Sequence, residues 1–176
     1  TYLWDVQVTK ADANGDLVWQ KNFGISDKTD HGCDILQTSD GGYMVLGMTS
    51  SYGQGSADIW LIKLAADGTE QWNKTIGGTT FDNPSKFTKA DDGGYVIVGS
   101  TDAVDSAGDI WVVKTSDTGE VSWQKTFGNA DISEGAVDVI TESNGYTILG
   151  NLYDANWTES IWLLHLDAQG TLTSDQ

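Results

Sequence analysis

Three tryptophans, Trp60, Trp111 and Trp162, stand 51 residues apart. Each sits in the same short word: Asp58-Ile59-Trp60-Leu61-Ile62-Lys63, Asp109-Ile110-Trp111-Val112-Val113-Lys114 and Ser160-Ile161-Trp162-Leu163-Leu164-His165. A fixed period of this size restricts a chain to a solenoid, a propeller or an array of small units. A second series keeps step, with Gly15 before Trp19, Gly68 before Trp72 and Gly119 before Trp123. A third opens each unit: Asp40-Gly41-Gly42-Tyr43, Asp92-Gly93-Gly94-Tyr95 and Asn144-Gly145-Tyr146. The 176 residues divide into a half unit over 1–31, units over 32–82 and 83–134, and an incomplete unit over 135–176. That makes roughly three and a half repeats in a single repeat domain.

Each unit reads as four short strands, expected near 33–38, 42–49, 58–64 and 70–76 and repeated at the same spacing. The Asp-Gly-Gly and Asn-Gly turns are strong hairpin signals, because glycine and asparagine accept positive φ. The second and third strands, such as Tyr43 to Met48 and Ile59 to Leu64, are nearly continuous apolar runs. Strands of that kind belong to sheets buried on both faces. Small four-stranded sheets covered on both sides are what stacked propeller blades provide. Helical periodicity is almost absent, and Pro84 is the single proline. The expectation is an all-β protein, a β-propeller-type repeat of four-stranded blades.

Taken together, Asp-Gly-Gly-Tyr-Val, Asp-Ile-Trp-Leu-Ile-Lys and Gly-x-x-x-Trp-x-Lys resemble the propeller-like repeats of secreted and cell-surface proteins in archaea and bacteria. The resemblance runs over nearly the whole chain and implies the fold rather than a chemistry. Thr118-Gly119-Glu120-Val121-Ser122-Trp123 is also similar to the tryptophan-docking element of quinoprotein propellers. The physical reason is general, since a large ring can cap a tight glycine turn and lock neighbouring blades. Paired cysteines and a full ring of blades are absent from this sequence, so the quinone cofactor does not follow.

The net charge is −17, from 26 acidic and 9 basic side chains. Such a chain does not suit nucleic acid, whose phosphates need a basic face, nor an anionic membrane surface. No apolar run is long enough for a membrane-spanning helix, so membrane insertion is not expected. Cys33 is the single cysteine, which rules out an intramolecular disulfide and reads as a small buried hydrophobe. The sequence opens on Thr1 with no visible leader, which fits a processed chain or an excised domain. Two glycosylation triplets, at Asn73 and Asn156, join the acidity in pointing to an extracellular or cell-surface location.

The periodic tryptophans read as core, and Trp157, in a loop outside the pattern, as the candidate for stacking against a sugar. Lys63 and Lys114, with His165 in the same place, suggest structural pairing with a carboxylate such as Asp58 or Asp109. Asp30, Asp82 and Glu134 recur before the first strand of each unit and read as turn or capping residues. The loop holding Asp102, Asp105 and Asp109 is the candidate cation site, since alternating carboxylates supply the oxygens that calcium takes. A solvated polar turn is the other reading. No spacing suggests a nucleophile, a phosphate loop or a zinc site, so no enzyme activity and no cofactor other than calcium is expected.

The ends break the pattern. Gln7 stands where a tryptophan is expected, and Ser174 does so at the other end. Sheets short of strands leave edges that proteins cover or pair. Another copy can supply the missing neighbour, as a closed ring or an open fibre or lattice. Leu3, Trp4, Val6, Val8, Ile161, Leu163 and Leu172 are the residues expected at such contacts. The expected function is a non-catalytic surface scaffold that associates with copies of itself. A binding module for glycans or another surface protein, with or without calcium, is the alternative.

Overall fold

A computed structural model describes residues 4–102, 108–129, 132–154 and 156–176. Among them there is no helix, and the chain forms fourteen strands in four antiparallel sheets. The first sheet has two strands, β1 (Val6–Ala11) and β2 (Leu17–Phe23). The second holds β3 (Asp30–Gln37), β4 (Tyr43–Thr49), β5 (Asp58–Leu64) and β6 (Glu70–Ile76) in chain order. The third repeats it with β7 (Asp82–Lys89), β8 (Tyr95–Thr101), β9 (Asp109–Thr115) and β10 (Val121–Phe127). The fourth follows with β11 (Ser133–Glu142), β12 (Gly145–Tyr153), β13 (Glu159–Asp167) and β14 (Leu172–Asp175). The strands lie where the turn and tryptophan periods put them. The final unit, expected to be incomplete, carries all four strands, with β14 only four residues long.

Register repeats with the sequence. Gly47 faces Trp60, Gly99 faces Trp111 and Gly150 faces Trp162 across the second and third strands. The first strand of every complete sheet carries a bulge, between Gly32 and Asp34, Pro84 and Lys86, and Ala136 and Asp138. A side chain at Gly99 would collide with the carbonyl of Asn83 on that bulged strand, and one at Gly47 with the carbonyl of His31.

The sheets stack face to face, and three apolar layers hold them. Val6, Val8, Val45, Trp60, Ile62 and Leu64 fill the first junction. Met44, Leu46, Ile59, Leu61, Phe87 and Ile97 are prominent in the second, and Val98, Ile110, Val112, Ile148 and Leu164 in the third. The central strands β5 and β9 are buried at every position, as continuous apolar runs require.

Candidate functional site

Each junction between successive sheets is built from the same three parts. At one end a backbone bond crosses: the N–H of Asp30 donates to the carbonyl of Trp4 at 2.7 Å, that of Asp82 to Ala57 at 3.0 Å, and that of Glu134 to Gly108 at 2.9 Å. Beside it two acidic side chains from adjacent sheets converge on one glycine: Asp5 and Asp30 on Gly24, Asp58 and Asp82 on Gly77, Asp109 and Glu134 on Gly128. A Cβ at any of the three would strike carboxylate oxygens. Asp30, Asp82 and Glu134 are almost fully buried. Asp30 accepts from Thr49 and Ser51, Asp82 from the Thr101 hydroxyl and the Gly78 N–H, and Glu134 from the Asn129 N–H. Burial raises the carboxyl of Asp58, the Gln54 N–H opposes this, and the charge of Asp82 adds to the rise.

At the other end a tryptophan from each fourth strand lies on the glycine turn of the next sheet. Trp19 meets Gly68, Trp72 meets Gly119 and Trp123 meets Gly170, with φ near +80° at each glycine (80°, 79° and 77°). Trp19 donates its indole N–H to the Ala66 carbonyl at 3.2 Å, and Trp123 to Ala168 at 3.3 Å. The turn conformation suits glycine, and the absent Cβ leaves room for the ring.

The first junction departs from the other two. Among the described residues the sheet on its outer side has two strands, and β1 pairs there with β2 alone, which leaves its other edge without a strand partner. Two adjoining cavities, each about 320 Å³, run along that edge. Val6, Val8, Cys33, Ile35 and Val45 line one; Val8, Lys10, Trp19, Ile35 and Tyr43 are among those lining the other. Ile35 is the measure of the opening. It is 45% exposed, whereas its equivalents Phe87 and Val139 are 4% and 5% exposed beneath the complete sheets that precede them. Lys10 sits 5.6 Å above the Tyr43 ring, and Trp19 meets that ring edge-on at 5.8 Å. Burial pushes the Cys33 thiol up, with Asp34 adding to the effect, against lowering contributions from the Met48 backbone and Lys86.

The lysines correct the sequence reading. Lys63 and Lys114 do not pair with Asp58 or Asp109, which lie at the far ends of their strands. Register sets Lys63 opposite Met44, beside the preceding hairpin turn. There it binds Asp40 at 2.9 Å and the Leu64 carbonyl at 3.1 Å. Lys114 likewise binds Asp92 and the Thr115 carbonyl, both at 2.8 Å. The Thr38 hydroxyl, the Lys63 amine and the Gly42 N–H hold the Asp40 carboxyl well below the usual range. Lys114 also lowers the Asp92 carboxyl. His165, at the equivalent position, instead meets the Thr147 hydroxyl at 2.7 Å.

The other expected residues fall as follows. Leu3 and Asp105 lie outside the described residues. Asp109 is buried in the third junction and Asp102 is exposed; among the described residues no three His, Cys, Asp or Glu side chains gather in a metal-holding group. Asn73 and Asn156 are both exposed, but Asn73 is engaged by Trp60 and Glu70. Trp157 is 81% exposed at φ +60°, with Tyr153 at 6.4 Å between ring centres. Trp4 is exposed before β1, while the side chains of Val6 and Val8 are buried against the second sheet. Only their backbone lies on the open edge. On the fourth sheet Leu163 exchanges two backbone bonds of 3.0 Å with Gln176, and Leu172 lies on β14 itself. Ile161 is exposed beyond the reach of β14. The carboxylate pairs and the floor of the groove went unread in the sequence. The recurrence of glycine after the fourth strand, at Gly24, Gly77 and Gly128, is the signal for the pairs.

No protein-family model matches the chain, and no curated protein is significantly similar to it. Among the described residues no helix is long and apolar enough to cross a membrane.

Proposed function

We propose that the protein is a non-catalytic structural module of the extracellular space or cell surface that associates with copies of itself through open strand edges. The observation that supports this reading is the bare edge of β1 above the exposed apolar floor at Ile35. Strand addition there pairs each free N–H and C=O and covers apolar surface in the same step. A second open stretch lies on β13, where residues 159–162 have β12 on one side and extend past β14 on the other. The net charge of −17 opposes assembly, so salt or divalent cations strengthen it. Sedimentation velocity over a range of protein and salt concentrations tests the reading. The expected result is a species heavier than one chain that grows with salt and is lost in Ile35→Asp. A monomer under all conditions would overturn it.

A second reading rests on Trp157. An exposed indole held next to Tyr153 is a surface on which a sugar ring can stack. A glycan array with and without calcium, on the native chain and Trp157→Ala, decides it: a hit lost in the variant supports binding, and no hit removes it.

A further inference from the structure

We infer that the cleft between the second and third sheets, over Trp111, binds one neutral sugar ring. The inference is independent of strand-edge assembly and of the Trp157 surface. Its ground is a difference between equivalent tryptophans. Trp60 donates its indole N–H to the Asn73 side chain at 3.1 Å, and Trp162 donates to Asp175 at 3.3 Å. Both acceptors lie on the fourth strand of their sheet, Asn73 opposite Ile62 and Asp175 opposite Leu164. Gln124, opposite Val113, is the matching residue of the third sheet. Yet among the described residues nothing accepts a hydrogen bond from the Trp111 N–H, although Trp111 is only 7% exposed. The nitrogen is not sealed in the core, because Trp111 lines a cavity of about 350 Å³. A donor held this deep costs free energy until it finds an acceptor, and the cavity gives an acceptor room beside it.

The walls of the cavity select the ligand. Trp111 and Thr126 are paired in register and share its floor. Asp82 and Thr101, both almost fully buried, close the inner end. Gly77 and Gly78 line the side that follows the second sheet, and nothing lies within 4 Å of where a Gly78 side chain would project. Gln124 stands exposed at the mouth. Asp82 accepts from the Thr101 hydroxyl at 2.6 Å and from the Gly78 N–H at 2.9 Å, one bond on each oxygen. A carboxylate has about four acceptor sites, so both oxygens can take a further donor. Asp58 meets Asp82 at Gly77, and two carboxylates there repel an anion. Lys125 also lines the cleft, but it pairs with Val112, so its side chain turns to the opposite face, where its charge is felt at Asp167 of the fourth sheet. The indole N–H needs an acceptor and Asp82 a donor. A hydroxyl is both, and a sugar ring carries several around an apolar face that suits an indole. A bare cation would satisfy Asp82 and leave the N–H unmet. The volume is near the low end for ligand pockets, which favours one ring over a chain.

The test uses the whole protein, with the methyl glycosides of glucose, galactose and mannose as probes and glucuronate as the charged arm. Calorimetry reads affinity, and the tryptophan indole N–H resonances read the site. The expected result is saturable binding of at least one neutral glycoside, a shift of the Trp111 N–H, and weaker binding of glucuronate. Gln124→Ala should weaken binding about fivefold, the size of one lost hydrogen bond. Gln124→Asn copies the second sheet: the shorter amide should take the Trp111 N–H as Asn73 takes that of Trp60, and abolish binding. Gln124 is exposed, so neither change threatens the fold. Absence of binding by the native chain would leave water as the occupant of the cleft and overturn the inference. So would equal affinity in Gln124→Asn, or glucuronate binding as tightly as the neutral glycosides. Binding lost in Trp157→Ala but kept in Gln124→Asn would place the sugar on the Trp157 loop and overturn the inference as well.

Discussion

The two outermost sheets hold the same repeat in opposite states. The first has two strands among the described residues and presents a polar outer face: Gln7 and Thr9 are exposed where Trp60 and Ile62 are buried in the second sheet. The fourth has all its strands, yet Ile161 on its outer face is 69% exposed where the equivalent Ile110 is fully buried. Polar substitution there is partial, through Thr147 in place of Val96. One sheet has β1 as an edge and is polar on its outer face; the other has β11 and β14 as its edges and is apolar on part of its outer face. Unpaired backbone directs a partner by register, whereas an exposed isoleucine attracts without register. On the proposed reading, the surface that would act by register is the first sheet.

The difference between equivalent positions is the first thing to break. Phe87→Ala should cost about 3–5 kcal/mol in denaturant unfolding, since it empties a filled junction. Ile35→Ala, at the matching position of the open junction, should cost under about 1 kcal/mol because half the side chain already faces water. Equal costs would mean that the first junction is closed in solution. Next come the glycine turns. Gly119→Ala should cost about 2–3 kcal/mol, combining positive φ with a collision against Trp72, whereas Gly15→Ala, with nothing near its turn, should cost only the backbone term of about 1 kcal/mol.

The charged turns give a smaller effect with a defined sign. Asp92→Ala should cost on the order of 1 kcal/mol, because its exposed carboxylate is screened while Lys114 is buried. Asp40 and Asp92 both have carboxyls lowered by folding. Their contribution is present above the ordinary carboxylate range, near pH 4, and is lost as pH falls through the lower folded values. Asp58, raised by burial, runs the other way and favours the folded state as pH falls. The fourth sheet has His165 in place of the lysine, so hydrogen exchange followed from about pH 4 downward through the lowered folded values should loosen the β3–β4 and β7–β8 turns and leave the β11–β12 turn steady. The smallest effect belongs to the outer face of the fourth sheet: Ile161→Asp should change unfolding by less than about 0.5 kcal/mol, and a larger loss would place that side chain against something.

Much of the fold is legible in the sequence. The Asp-Gly-Gly turns fixed the strand positions, because positive φ at glycine leaves the chain little choice there. The tryptophan spacing reads as core, and the structure sets Trp19, Trp72 and Trp123 each over a glycine turn of the next sheet. What escaped was pairing between sheets. From the sequence Lys63 suggests pairing with a carboxylate such as Asp58 or Asp109, whereas strand direction brings it to Asp40 across the hairpin. The carboxylate pairs could not be read because Asp58 and Asp82 meet only once two sheets stack. The exposure of Ile35 could not be read either, because it depends on which sheet lies over β3: the equivalents Phe87 and Val139 lie under four-stranded sheets.

Hydrogen–deuterium exchange of β1 as a function of protein concentration tests the central claim most directly. The amides of Val6–Ala11 that do not pair with β2 should exchange quickly in dilute solution and become protected as concentration and salt rise. β5 and β9, paired on both sides, should be protected throughout. Rapid exchange of those β1 amides at every concentration, or full protection already at the lowest, would contradict an assembly surface at this edge.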